Sequence, residues 1–164
     1  MGHPILRWHG MRTDTMTDVS LIAKTSKPVV TYLKLPEGQM PYLEGWRCSN
    51  CDEVFVEARS VCSSCFQRDQ MIPIKLSDHG RIYNWTIVYR DFPGIKVPFI
   101  SAIVDLDGGG TVKGNLIDVD PDPAKVAFDM PVKIVYRQLE QKDAAGNTYV
   151  GYFFVPAAGD GESS

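Results

Sequence analysis

Between residues 76 and 155 apolar and polar side chains alternate in short runs separated by turn residues, a period of two that predicts strands. The clearest run is 81–89, with Tyr83, Trp85, Ile87 and Tyr89 on one face and Ile82, Asn84, Thr86 and Val88 on the other. A buried face demands that period, so the aromatic face is expected to be core rather than a platform for stacking bases. A mostly apolar run follows over 99–106 and closes on Asp107-Gly108-Gly109-Gly110. Residues 111–116 alternate again, Val112, Gly114 and Leu116 against Lys113 and Asn115. Runs at 132–139 and 149–155 complete five strands, the last two joined across Asp143-Ala144-Ala145-Gly146-Asn147. Pro123 to Ala127 predicts one helical turn between the third and fourth strands. Five short strands with that insertion fit a five-stranded Greek-key barrel of the OB type, with a plain β-sandwich as the alternative.

Upstream the pattern changes. Residues 43–75 are poor in aliphatics and contain all four cysteines, so this segment cannot bury enough apolar surface to fold without a staple. Residues 1–42 carry little periodicity, and Pro28, Pro36 and Pro41 break any long helix. The division expected is an N-terminal arm over 1–42, disordered for its first fifteen or so residues, a ribbon over 43–75, a barrel over 76–156 and a frayed tail over 157–164. Within the arm, residues 28–43 hold Val29, Val30, Tyr32, Leu33, Leu35, Met40, Tyr42 and Leu43, more apolar surface than a free segment needs. That surface covers either the chain's own barrel or a partner.

The strongest chemical signal is Cys48-Ser-Asn-Cys51 followed, after ten residues, by Cys62-Ser-Ser-Cys65. Two C-x-x-C knuckles bring four thiolates to one tetrahedral point, the donor set zinc prefers. The ten residues between them suffice for a short hairpin with Val54 to Val56 as one arm. Four sulfurs also suit iron, and four free or redox-active cysteines are the non-metal alternative. A redox pair of the thioredoxin kind needs a βαβ frame that the pattern does not show. Four thiolates fill a tetrahedral ion and leave no place for water, so the metal is expected to be structural.

Charge narrows the partners. Seventeen basic and twenty acidic residues give a net of −3, and the ribbon alone holds four basic against five acidic. Single-strand binders combine stacking aromatics with a positive groove, so this balance argues against nucleic acid. No apolar run approaches the length of a membrane helix, and Pro4, Arg7, His9 and Arg12 interrupt any signal-peptide core. A soluble, cytoplasmic protein is expected. His3, His9 and His79 have no nucleophile and orienting carboxylate beside them in the pattern, so no hydrolytic triad is expected. Asp118-x-Asp120-x-Asp122 opens like a calcium loop, but Pro123 stands where the sharp turn requires glycine, and an Asp/Pro turn is the simpler reading.

The arrangement resembles the DUF35 family. The matching pieces, in order, are Gly45-Trp46-Arg47-Cys48-x-x-Cys51, Arg59 ahead of Cys62-x-x-Cys65, and His79-Gly80-Arg81-Ile82-Tyr83-x-Trp85-Thr86-Ile87-Val88. Pro98-Phe99 entering the second strand and Gly114 in the third continue the match, which covers about 43–139. Glu57-Ala58-Arg59 stands where the family commonly has Pro-Pro-Arg, and the prolines of the arm replace the helix with which many members begin. The resemblance implies a rubredoxin-like zinc ribbon followed by an OB fold. It also implies a non-catalytic accessory subunit of a thiolase-type acyl-CoA acyltransferase, such as a ketothiolase or a benzoylsuccinyl-CoA thiolase. The partner would be a thiolase-fold catalytic subunit in a hetero-oligomer, or less often an enoyl-CoA hydratase-like one. A nucleic-acid-binding ribbon and barrel is the reading from another class.

If CoA or an acyl-CoA is a shared ligand, the loop between the first two barrel strands is the place for it, since OB folds bind ligands through that loop and the one between the last two strands. Arg90 and Lys96 offer cations for phosphate and Phe92 a ring for adenine, with Arg59 of the ribbon, at the family's Arg position, as a third cation.

Overall fold

The computed structural model describes residues 26–90 and 95–157. The expected disorder of the first fifteen residues, Phe92, and residues 158–164 of the expected tail lie outside that range.

Ten strands and one 3-10 turn build the described chain: β1 (Ser26–Pro28), β2 (Leu33–Lys34), β3 (Tyr42–Cys48), β4 (Val54–Phe55), β5 (Met71–Lys75), β6 (His79–Val88), β7 (Phe99–Leu106), β8 (Thr111–Leu116), the turn Pro123–Lys125, β9 (Pro131–Gln138) and β10 (Thr148–Pro156). Strands β6 to β10 close on themselves in the order β6-β7-β8-β10-β9, with β9 pairing back onto β6. The β8–β10 contact is parallel and the others are antiparallel, so the sheet is the five-stranded OB barrel that the alternation predicts. Strand limits fall within a residue or two of those read from the sequence, because Gly, Pro and Asp/Asn clusters mark each end.

The face assignment in β6 needs correction. Gly80 and Ile82 point inward, but Ile82 pairs with Val104 and Asn84 with Ile103, which leaves Tyr83 as an extra residue in a bulge. One inserted residue exchanges the two faces of everything after it. Trp85 and Ile87 then pack on the core, as expected of the aromatic face. Tyr83 sits on the bulge and Tyr89 beyond the strand end, and both are exposed, at 64% and 63%.

The loop joining β9 and β10 is closed by one carboxylate. Asp143 accepts hydrogen bonds from the amides of Ala145 (3.0 Å) and Asn147 (2.8 Å), from Asn147 Nδ2 (2.7 Å) and from the Tyr149 hydroxyl (2.9 Å). The Asn147 side chain and amide, with Tyr149 and Ala145 behind them, favour the ionised form and lower its pKa from 3.8 to about 2. A depressed carboxyl stabilises the fold above its ordinary pKa and loses that contribution as the pH falls through its folded value. Acid titration followed by the amide signals of Ala145 and Asn147 is therefore expected to show this loop opening between pH 3.8 and about 2. In Asp143→Asn the same signals should not respond over that window.

The arm segment covers this chain's own core. Leu33 of β2 and Leu43 of β3 are almost fully buried in the cluster that also holds Ile82, Ile100, Val104 and Phe154, with Val30, Tyr32 and Leu35 packed against it. The Tyr32 hydroxyl meets that of Tyr152 at 2.8 Å, and Tyr152 donates to the carbonyl of Lys113 at 2.6 Å. Of the apolar arm residues, Val29 and Met40 stay exposed. Strand β2 pairs with β3, so part of the expected arm is a strand of the ribbon sheet. Ribbon and barrel share one core, since Val54 and Leu76 belong to the same cluster.

Candidate metal centre

The four cysteines sit on two turns that repeat one construction. In the first, the amide of Asp52 donates to the carbonyl of Cys48 (2.9 Å) and that of Cys48 to the carbonyl of Glu53 (2.9 Å). In the second, the amide of Phe66 donates to the carbonyl of Cys62 (2.8 Å) and that of Cys62 to the carbonyl of Gln67 (3.0 Å). The residue after each second cysteine takes a left-handed conformation, Asp52 at φ 62° and Phe66 at φ 61°. Asp visits that region readily, whereas a bulky ring there is strained. Phe66 is nevertheless 77% exposed, so its ring gains little from packing in return. β3 delivers Cys48 into the first turn, and an isolated bridge between Val61 and Arg68 closes the second.

These turns bring the sulfurs of Cys48, Cys51, Cys62 and Cys65 within 4.8 Å of one another. Cys48 and Cys65 lie 3.6 Å apart, as do Cys51 and Cys62. Sulfurs about 2.3 Å from one tetrahedral ion are separated by about 3.8 Å, so the geometry fits such an ion. No pair is a disulfide. The thiols are poised unevenly. The Gln67 amide lowers the Cys65 thiol to about 6, against the opposing effect of desolvation. At Cys51 the Glu53 amide also lowers, but desolvation and the neighbouring thiols override it and push the group up to about 12. Thiolates this close cannot all ionise without a cation among them, so the donor set fits a metal ion such as zinc.

Of the other singled-out residues, Arg59 and Arg90 fall in two shallow depressions on one side of the barrel. Arg59 lies over the Phe55 ring at 3.8 Å and donates to the Ser63 hydroxyl (3.3 Å). It lines a depression of about 460 Å³ between ribbon and barrel, along with Glu53, Glu57 and Lys113. Arg90 lines a neighbouring depression of about 470 Å³ with Val88, Ile95, Phe99, Ser101, Lys113 and Asn115. Lys96 is exposed and lines neither. Lys113 is common to both and was not singled out from the sequence, although the alternation of β8 placed it on the outer face with Asn115. The three aspartates of the calcium-like run form an ordinary turn, in which the Asp122 carboxylate caps the amide of Ala124 and Lys125 pairs with Asp120. Among the described residues no helix is long and apolar enough to cross a membrane.

Residues 74–137 match the family model described as ChsH2, C-terminal OB-fold domain. The chain is 32% identical over 117 residues to a DUF35 domain-containing scaffold protein of Methanocaldococcus jannaschii, covering 70% of this chain and 81% of that protein. It is 32% identical over 90 residues to the benzoylsuccinyl-CoA thiolase subunit BbsA of Geobacter metallireducens, covering 51% of this chain and 60% of that subunit. Among solved structures, the Ltp2-ChsH2(DUF35) aldolase superposes with a TM-score of 0.56 at 24% identity, over 71% of this chain and 86% of that one, a likeness of fold. Barrel, four-cysteine ribbon and these relatives together show that the chain belongs to the DUF35 family.

Proposed function

We propose that this protein is a non-catalytic, metal-stapled scaffold subunit that holds the catalytic subunit of an acyl-CoA-processing enzyme. The observation that carries the reading is the likeness, over most of the chain, to a protein described as a scaffold, joined by the likeness to a thiolase subunit. The metal centre agrees with it. Cys48, Cys51, Cys62 and Cys65 would hold one zinc ion, which supplies a cross-link between the two turns and, with four thiolates around it, no site for a substrate. The catalytic partner on this reading is a thiolase-fold subunit, which contributes the nucleophile and the proton-transfer groups. The alternative partner is an enoyl-CoA hydratase-like subunit.

The role in CoA-ester binding is auxiliary. Arg59 and Arg90 stand on two adjoining depressions, and Lys96 on the surface nearby, so cations approach a shared ligand from both the ribbon and the barrel. Phe92, proposed as the ring beneath adenine, lies outside the described residues.

The test is purification of the tagged chain from its own cells at endogenous level, with the bound polypeptides identified by mass spectrometry. A stoichiometric thiolase-fold subunit is the expected result. A hydratase-like subunit in its place would select the alternative partner, and a monomer with no stoichiometric companion would overturn the scaffold reading.

A further inference from the structure

We propose that the outer face of β7 and β8, with Lys113 at its centre, is an anion site that takes the phosphate-bearing end of a CoA-type ligand. The inference rests on the acyl-CoA reading above and specifies which surface of this chain meets the ligand.

Strand register places the groups. Ile103 is opposite Lys113, and Ser101 lies between Thr86 and Asn115, while Val88 and Phe99 form the next pair along the sheet. The outward row of β8 therefore presents an ammonium and a carboxamide two residues apart, beside the hydroxyl of Ser101 and an apolar end made by Val88 and Phe99. Arg90 and Ile95 flank that end in the same depression of about 470 Å³. This combination suits a phosphate with an apolar or aromatic portion next to it: the Lys113 ammonium and neutral donors at one end, and at the other a surface for a flat ring with Arg90 beside it.

Charge chooses between the two depressions. Glu53 and Glu57 share the ribbon-side wall with Arg59 and offset its charge, which leaves Arg59 the weaker of the anion contacts. Among the described residues lining the barrel-side depression, Arg90 and Lys113 are cationic and none is acidic. Neither Arg90 nor Lys113 forms an ion pair with a described residue. Lys113 is also well held, because Tyr152, itself bonded to Tyr32, donates to its carbonyl and β8 is hydrogen-bonded on both sides. A cation mounted on a rigid strand retains its aim better than one on a loop.

The full chain, metal-loaded, would be titrated with CoA, adenosine 3′,5′-bisphosphate and pantetheine, with binding read from backbone amide shifts. CoA and the bisphosphate are expected to move the amides of Ser101, Lys113 and Asn115, and pantetheine, which lacks the phosphates, to leave them unmoved. A charge-assisted contact contributes enough that Lys113→Gln should weaken both phosphate ligands by about tenfold. Lys113→Arg should keep most of the affinity, and Lys133→Gln, an exposed charge on β9 that lines neither depression, should change it less than about twofold. Lys113 is exposed, so the variants should melt with wild type, and that is checked first. Pantetheine binding equal to that of CoA overturns the anion site, as does a Lys113→Gln chain that binds like wild type. A short single-stranded oligonucleotide that shifts the same amides at lower concentration than CoA overturns it too, in favour of nucleic acid. Failure of these titrations while the catalytic subunit still co-purifies would sink the anion site alone. Absence of the partner while CoA still binds would sink the scaffold reading alone.

Discussion

Removing the metal, by chelation or by Cys48→Ser, is expected to lower the melting temperature by about 10 °C or more and to dissolve the two cysteine turns while the barrel stays closed. Apart from the proposed ion the turns rest on surface hydrogen bonds: two amide–carbonyl pairs within each, one more at each margin (Ser49 to Gln70 and Asp69 to Ser60), two side-chain bonds (Ser49 to Gln70, Arg59 to Ser63) and one isolated bridge, with no large buried side chain between Asn50 and Cys62 except Val54. Structural zinc in finger peptides contributes about 10–16 kcal/mol at neutral pH, most of which is folding energy. The shared core transmits the loss. Leu33, Leu43 and Val54 reach the barrel cluster from the ribbon sheet, and each buried side chain of this size is worth about 1.5–3 kcal/mol. Uncovering two of them costs about 3–6 kcal/mol, and about 2–4 °C per kcal/mol applies to a chain of this size. The β6–β10 ladders do not pass through the ribbon, so their amides should remain protected from hydrogen exchange when those of Cys48, Asp52, Cys62 and Phe66 are not. Elemental analysis finding no metal, or Cys48→Ser with metal content and melting unchanged, would contradict the staple. Equal loss of protection in β7 and in the turns would show instead that the two parts unfold as one.

How much of this could be read from the sequence follows from which interactions are local. The knuckles are local: four residues of spacing and one repeat of it place four sulfurs together, so the donor set was legible before any fold. The barrel strands were legible because each is short, alternating and bounded by turn residues. What failed is part of the expected inward face of β6: Trp85 and Ile87 pack on the core, but Tyr83 sits on a bulge and Tyr89 beyond the strand end, and no single-strand pattern reports a bulge that depends on the pairing with β7. The arm could not be assigned to its own barrel either. Its apolar content was visible, but Leu33 is buried among Ile82, Ile100 and Phe154 of the barrel, and Tyr32 meets Tyr152 across 120 residues of sequence, contacts that no local pattern reports. Lys113 was passed over for the same reason. It looks like an ordinary solvent-facing charge in β8 until Val88 and Phe99 of two other strands appear beside Ser101 and Asn115.

Gly80→Ala is expected to cost about 2–3 kcal/mol, with a fall in melting temperature of about 5–10 °C, more than alanine at the turn glycine Gly108. Gly80 lies where β6 is flanked by both β7 and β9, opposite Leu106 on one side and Val132 on the other. A Cβ there would come 2.3 Å from the Asp105 carbonyl oxygen, 2.9 Å from Val104 Cγ1 and 3.0 Å from Leu106 Cα. Two of those three atoms are backbone held in a closed ladder, so the clash cannot be relieved by turning a side chain and must shift a strand. Gly108 isolates the other cost of replacing glycine. Its φ of 79° is strained for alanine, yet a Cβ would meet nothing within 4 Å. Left-handed backbone costs an L-residue about 1–2 kcal/mol, so Gly108→Ala should fall below Gly80→Ala. Thermal melts of the two variants in metal-saturated protein make the comparison. If Gly80→Ala melts with wild type, β6 is not pinned against β7 as described. If Gly108→Ala is the worse of the two, backbone conformation rather than strand contact limits this barrel.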